Sequence, residues 1–278
     1  MNPLRPAVAL LFAAIVAAGC ATAPPGTAAR ISALPQADVV LLGEQHDAPE
    51  HQRIHHDVVQ ALAAQGRLAA LAIEMAEQGT STAELMRTGD EELVRATLRW
   101  NEAAWPWRAY GPAIMAAVRA GVPVAGANLP RTAMRAAMAD ASLDGKLTGP
   151  ALKAQQQAIR LGHCGLLPET QIGPMTRIQV ARDIAMAQTV DAALVPGKTV
   201  VLIAGSGHVD RSLGVPQHLR AGVKAHAVRL VAGVAGAPPI QGGSFDDAWA
   251  TAPVGEKDYC AGMQRQMPPP GQPSGQPR

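Results

Sequence analysis

Aromatic residues are scarce in this chain: its 278 residues include two Tyr, two Phe and four Trp. A site that needs a phenol or an indole has few residues to draw on, and the core has to be built from Ala, Val, Leu, Ile and Met. Charge is thin as well, at 17% Asp, Glu, Lys and Arg, with 24 cationic against 22 anionic side chains and a formal net charge of +2. No basic block stands out, so the phosphate-tracking stripe of a nucleic-acid surface is excluded. Signature loops are missing too. Gly205-Ser206-Gly207 lacks the third glycine of a dinucleotide fingerprint, Ser206 is not framed as Gly-x-Ser-x-Gly, and no Walker sequence occurs. Neither a Rossmann cofactor site nor a nucleophile elbow is supported. A hydrophobic content of 48%, by contrast, supports a real core at a length that fits one large α/β domain or two small ones.

Only three cysteines are present, Cys20, Cys164 and Cys260. The first ends a segment with the grammar of a lipoprotein signal. Arg5 is followed by an almost wholly apolar Pro6 to Ala18, by Gly19-Cys20, and by a flexible Ala-Thr-Ala-Pro-Pro-Gly stretch. An apolar run of about a dozen residues is short for a stable membrane span and suits a cleaved h-region. An ordinary secretory signal is the alternative reading. Cleavage before Cys20 removes Arg5, leaving a net charge of +1, and acyl chains on Cys20 would tie the chain to a membrane. Cys164 and Cys260, in a compartment that permits oxidation, are either a disulfide or two separate thiols. The chain divides into a signal peptide (1–19), a tether (20–36), one α/β domain (37–260) and a disordered tail (261–278) with five prolines.

Within the domain, short apolar runs read as strands: Asp38 to Leu42, Ala69 to Ile73, Val122 to Ala125, Thr199 to Ala204 and Lys224 to Leu230. Helical periods separate them, best at Glu50 to Gln65, Ala109 to Ala120, Arg131 to Asp140, Ala151 to Leu161 and Pro174 to Leu194. Buried strands alternating with helices imply a central, mainly parallel sheet with helices on both faces. The ligand crevice of such a sheet lies beyond the carboxyl ends of its strands. Polar residues gather there. The first strand runs into Gly43-Glu44-Gln45-His46, the second ends in Glu74, the third in Gly126-Ala127-Asn128, and the fourth in Gly205-Ser206-Gly207-His208.

Gly43 is expected to let the backbone turn, and Asp47-Ala48-Pro49-Glu50 has the form of a capping box. The positive end of the following helix then favours neutral His46. Glu44, His46, Glu74 and His208 form a donor set suited to a divalent transition metal or to a metal-dependent hydrolase. Local capping by each residue is the plainer alternative. His51 and His55, at i and i+4 but without a zincin glutamate, read as a solvated helix face. Trp100, Trp105 and Trp107 are either an apolar wall over a flat ligand or core packing.

Taken together, seven segments resemble the ChaN-type haem-binding lipoproteins, which stand with the Tiki, TraB and erythromycin-esterase-like proteins in one superfamily. They are Leu42 to His46, Ile73-Glu74-Met75, Trp107 to Pro112, Gly126 to Pro130, His163-Cys164-Gly165, Arg182-Asp183 with Met186, and Ile203 to Val209. The resemblance spans roughly 38–230, and the two Gly-x-x-His elements ending at His46 and His208 are its shared signature. It implies a lipid-anchored haem-binding protein of the bacterial cell envelope, at the outer membrane, connected with haem or iron uptake and able to enclose haem as a homodimer. Tyrosinate is a favoured iron ligand in such proteins. That directs attention to Tyr110, with Tyr259 less well placed, and the resemblance adds His46, His163, His208, Asn128 and Arg131 as cofactor-binding candidates.

Overall fold

The computed structural model describes residues 26–85, 87–233, 244–255 and 257–266. The signal segment with Cys20, and 267–278 of the Pro-rich tail, lie outside them. A short helix α1 (Thr27–Ser32) precedes β1 (Val39–Glu44), α2 (Pro49–Ala64), β2 (Leu68–Glu77), α3 (Glu91–Thr97), α4 (Trp107–Arg119) and β3 (Val124–Asn128). Then come α5 (Met134–Ala139), α6 (Gly149–Gly162), α7 (Glu169–Ala192), β4 (Thr199–Gly205), the one-turn α8 (Ser206–Val209), β5 (Ala225–Ala232), β6 (Asp247–Thr251) and α9 (Tyr259–Gln266).

The six strands form one sheet in the order β3-β2-β4-β1-β5-β6, parallel throughout. Successive residues of a strand point to opposite faces, so each strand feeds two cores. Val40 and Leu42 of β1 pack on one side with Val58, Val59 and Leu62 of α2 and Ile114 and Ala117 of α4. Val39 and Leu41 pack on the other with Met186, Ala187 and Val190 of α7. A strand covered on both faces needs no alternation, which is why these strands appear as unbroken apolar runs. Because β4 returns between β2 and β1, the carboxyl ends of three adjacent strands open on the same side.

Three expectations change. β6 has one fully buried side chain, Trp249, in an otherwise small and polar strand, so it carries no apolar run for the sequence to display. The tether yields at Thr27, where α1 begins and Ile31 and Leu34 enter the core. Ala261 to Gln266, assigned to the tail, are helical within α9.

Candidate functional site

Glu44, the last residue of β1, is buried and receives two hydrogen bonds on Oε1, from the Tyr110 hydroxyl and from His46 Nδ1, each at 2.7 Å. Its Oε2 has no bonded partner and lies 3.7 Å from His55 Nδ1. On β2, Glu74 Oε2 accepts the Gly205 backbone N–H at 2.8 Å, while Oε1 stands 3.5 Å from His208 Nε2. The other ring nitrogen of His208 lies 2.6 Å from Asp183 of α7. The four strand-end side chains therefore meet as two carboxylate–imidazole pairs, Glu44–His46 and Glu74–His208, rather than as one coordination sphere. Among the described residues no group of three His, Cys, Asp or Glu is arranged to hold a metal ion.

These pairings set the charges. Burial alone would lower the His208 imidazole, but Glu74 and Asp183 carry it up to about 10. Burial alone would raise Glu74, yet His208 brings it down to about 2. Burial likewise opposes ionisation of Glu44, and the His46 hydrogen bond and His55 reverse it, leaving its carboxyl below the usual range. The helix-terminus expectation for His46 is overturned: burial lowers its imidazole, but the Glu44 bond and the charge of Glu74 raise it above its ordinary value, so imidazolium is favoured. A charged acceptor at 2.7 Å outweighs partial charges on a helix end.

Local details depart from expectation too. Gly43 sits inside β1 rather than at a turn. A β-carbon there would fall 2.3 Å from Val209 Cγ2 and 3.1 Å from the Ser206 Cα, so the glycine lets α8 close onto the strand. No capping box forms, since α2 starts after Ala48 with no side-chain cap. Asp47 instead takes hydrogen bonds from Gln45 at 3.0 Å, Lys257 at 2.9 Å and the Tyr259 hydroxyl at 2.6 Å. The Tyr259 hydrogen bond is the chief influence working against burial here, and Asp47 ends at about 2. His51 and His55 are buried rather than solvated. His51 Nδ1 accepts the Gln45 N–H at 2.9 Å and Nε2 lies 3.1 Å from Thr251 Oγ1, which ties α2 to β6.

Beside this cluster lies a cleft of about 890 Å³. Trp105, Pro106, Ala109, Tyr110 and Pro112 form an apolar wall, and Arg53, Arg108 and Lys257 supply positive charge. His46, with 42% of its side chain exposed, joins it from the turn after β1 and stacks edge-on to Trp105 at 4.9 Å. Trp107 is buried and Trp100 packs against it at 5.1 Å, so only Trp105 of the three tryptophans faces the cleft. A smaller adjoining hollow is lined by Gln45, His46, Asp47, Lys257 and Tyr259.

The other sequence candidates scatter. Tyr110 is 3% exposed and its hydroxyl is committed to Glu44. Burial and the Glu44 charge hold its phenol far above the ordinary range, so it enters as wall and hydrogen-bond donor, with phenolate the disfavoured form. His208 is 5% exposed and does not line the cleft. His163 caps α6, bonded to the Ile159 carbonyl at 2.8 Å. Arg131 is exposed and its backbone N–H meets Glu77 at 3.1 Å, while Asn128 ends β3 with a buried, unbonded Oδ1. Cys164 and Cys260 form a disulfide. Sequence reasoning read Asp47 only as a helix cap and Arg108 only as part of a matching segment, and it passed over Arg53 and Lys257, which carry no motif. Tyr259 was legible as one of the chain's two tyrosines, but it was ranked behind Tyr110.

Comparison with known proteins came to the same superfamily. The family model described as "Haem-binding uptake, Tiki superfamily, ChaN" matches residues 30–219. The solved structure of cofacial heme binding to ChaN of Campylobacter jejuni is similar at a TM-score of 0.62 and 24% identity, over 75% of this chain and 87% of that one. The type III effector HopBA1 is similar at a TM-score of 0.46 and 18% identity, over 78% of this chain and 88% of its own. No curated protein matches.

Proposed function

The chain belongs to the haem-binding uptake family of the Tiki superfamily that includes ChaN, and from that premise we propose that it binds haem in the cleft beside Glu44 and His46. Haem is a flat apolar ring with two carboxylates and an iron that takes an axial donor, and its bound iron supplies redox-active ligand chemistry tuned by that donor. The composition of the cleft supports the reading: an apolar wall around Trp105, cations at Arg53, Arg108 and Lys257, and a phenol at its open edge. The cations would hold the carboxylates. Tyr259, 54% exposed beside His46, is the tyrosine that a ligand can reach, with its hydroxyl resting on the exposed Asp47 rather than on a buried carboxylate. Tyr110 would pack against the ring.

Three finer proposals accompany this one. Haem or iron uptake is the role. A second copy of the chain would cover the outer face of the ligand, making a homodimer. Acylation at Cys20 would hold the protein to the bacterial cell envelope at the outer membrane. The Cys164–Cys260 bridge fits an oxidising compartment and leaves Cys20 as the remaining cysteine.

An absorption titration of the mature domain with haemin tests the core reading. A saturable Soret band is expected. Tyr259→Phe should weaken binding by about tenfold or more and shift the spectrum, as loss of an axial donor does. Tyr110→Phe should leave the band in place. Absence of saturable binding in the unmodified protein overturns the proposal.

A further inference from the structure

Helix α9 contributes no residue to the three clusters of buried apolar side chains among the described residues. It nevertheless brings Tyr259 to the edge of the cleft. The non-covalent ties of this segment to the site converge on one short stretch. Tyr259 and Lys257 bond Asp47 at 2.6 and 2.9 Å, and Gln45 Nε2 donates to the Tyr259 hydroxyl at 3.4 Å. All are exposed, and exposed polar ties of this kind hold a segment weakly. The covalent tie is the neighbouring residue: Cys260 is bridged to Cys164 across a sequence separation of 96.

The far anchor is itself specialised. Cys164 follows the end of α6 at φ +57, and Gly165 continues the left-handed turn at φ +68. A residue with a β-carbon rarely adopts that conformation. Here it belongs to the tight turn between α6 and α7, from which the sulfur reaches α9.

We infer that the Cys164–Cys260 bridge is a positioning device for the ligand cleft: when oxidised it fastens α9 so that Tyr259 and Lys257 stand against Asp47, and its reduction frees that edge. The identity of the ligand rests on the haem reading; the tethering does not. Reduction by a phosphine balances simply. The disulfide takes two electrons and two protons from phosphine and water, giving two thiols and a phosphine oxide.

The test compares the unmodified protein, a Cys164→Ala/Cys260→Ala double variant and Tyr259→Phe. Haemin titration is one readout, and trypsin cleavage after Lys257 in the ligand-free protein is the other. Without the bridge, haem binding is expected to weaken by about tenfold, the spectrum to move toward that of Tyr259→Phe, and cleavage after Lys257 to accelerate by a similar factor. Should the double variant fail to fold, the folded protein is reduced with phosphine and alkylated, and the same two readouts apply. Haem binding and cleavage both unchanged without the bridge would overturn the inference and leave the haem reading standing. If the unmodified protein binds no haem, that reading falls, and the tether is then judged by the cleavage rate: faster without the bridge supports it, unchanged overturns it.

Discussion

His55 is fully enclosed between α2 and β1, with neither ring nitrogen bonded and Glu44 Oε2 3.7 Å away. Burial pushes its imidazole down to about 4 from an ordinary 6.5. The unfolded chain therefore takes up this proton first, and the His55 contribution to stability falls as pH drops from about 6.5 to about 4, by on the order of 3 kcal/mol, while Asp183, raised by burial to about 6, works in the opposite direction over part of that window. Glu74, held at about 2 against an ordinary 4.5, loses its contribution as pH falls between those values, mostly below the range where His55 acts. Denaturant unfolding between pH 7 and pH 4 is the measurement, with His55→Gln expected to flatten the slope; parallel slopes in the two proteins would remove His55 as its source. Such a pairing is invisible in sequence. Periodicity placed Glu44, His46, Glu74 and His208 at strand ends, because each follows an apolar run directly. Glu74 lies on β2 and His208 follows β4, so their pairing depends on the sheet order, whereas the helix-dipole argument for His46 failed because it weighed the helix end without the Glu44 carboxylate two residues before it.

At the scale of elements, β6 shows how one residue can hold a strand that composition hides. Trp249 is 1% exposed and belongs to the core cluster on the α2 and α4 side of the sheet, with its indole N–H donating to Asp247 at 2.7 Å. Asp247 to Thr251 pairs along β5 from Val228 to Ala232, and Thr251 also reaches His51. Truncating a buried tryptophan typically costs about 3–5 kcal/mol. Trp249→Ala should lose that much in urea unfolding, while Trp249→Phe recovers most of it. A loss below about 1 kcal/mol for the alanine variant would mean that β6 is not fastened by this side chain. β1, β2 and β4 were legible as apolar runs for the reason β6 was not: covered on both faces, they can tolerate little but apolar residues. The five helical periods were legible within a few residues at each end, whereas α1, α3, α8 and α9 were not read as helices. Gly43 was recognised as significant, but for a turn, whereas its use is contact between β1 and α8, which no local pattern encodes.

For the whole molecule, an α/β sheet with its crevice at the strand ends followed from alternation alone, and the shared Gly-x-x-His elements led to the family. The cleft did not follow, because its wall, its cations and Tyr259 come from segments as distant as α2, α4 and the stretch after β6. The proposed attachment to a membrane concerns the molecule as a whole, and two mechanisms would compete for it. Electrostatic attraction to anionic headgroups gives about 1 kcal/mol per basic residue near the surface. With the proposed cleavage before Cys20 the chain would carry a net charge of +1 and no basic block, and so would have little of that to offer. Acyl chains contribute ~0.8 kcal/mol per buried methylene, and more than one chain gives stable anchoring. The two mechanisms respond oppositely to salt, since at about 1 M the screening length shrinks to ~3 Å and headgroup attraction vanishes, whereas burial of methylenes persists. The protein should therefore sediment with membranes at low and at high salt, and Cys20→Ser should appear in the soluble fraction at both while still giving the haemin Soret band. Release of the unmodified protein by salt, or sedimentation of Cys20→Ser, would show that something other than acylation holds the chain at the membrane.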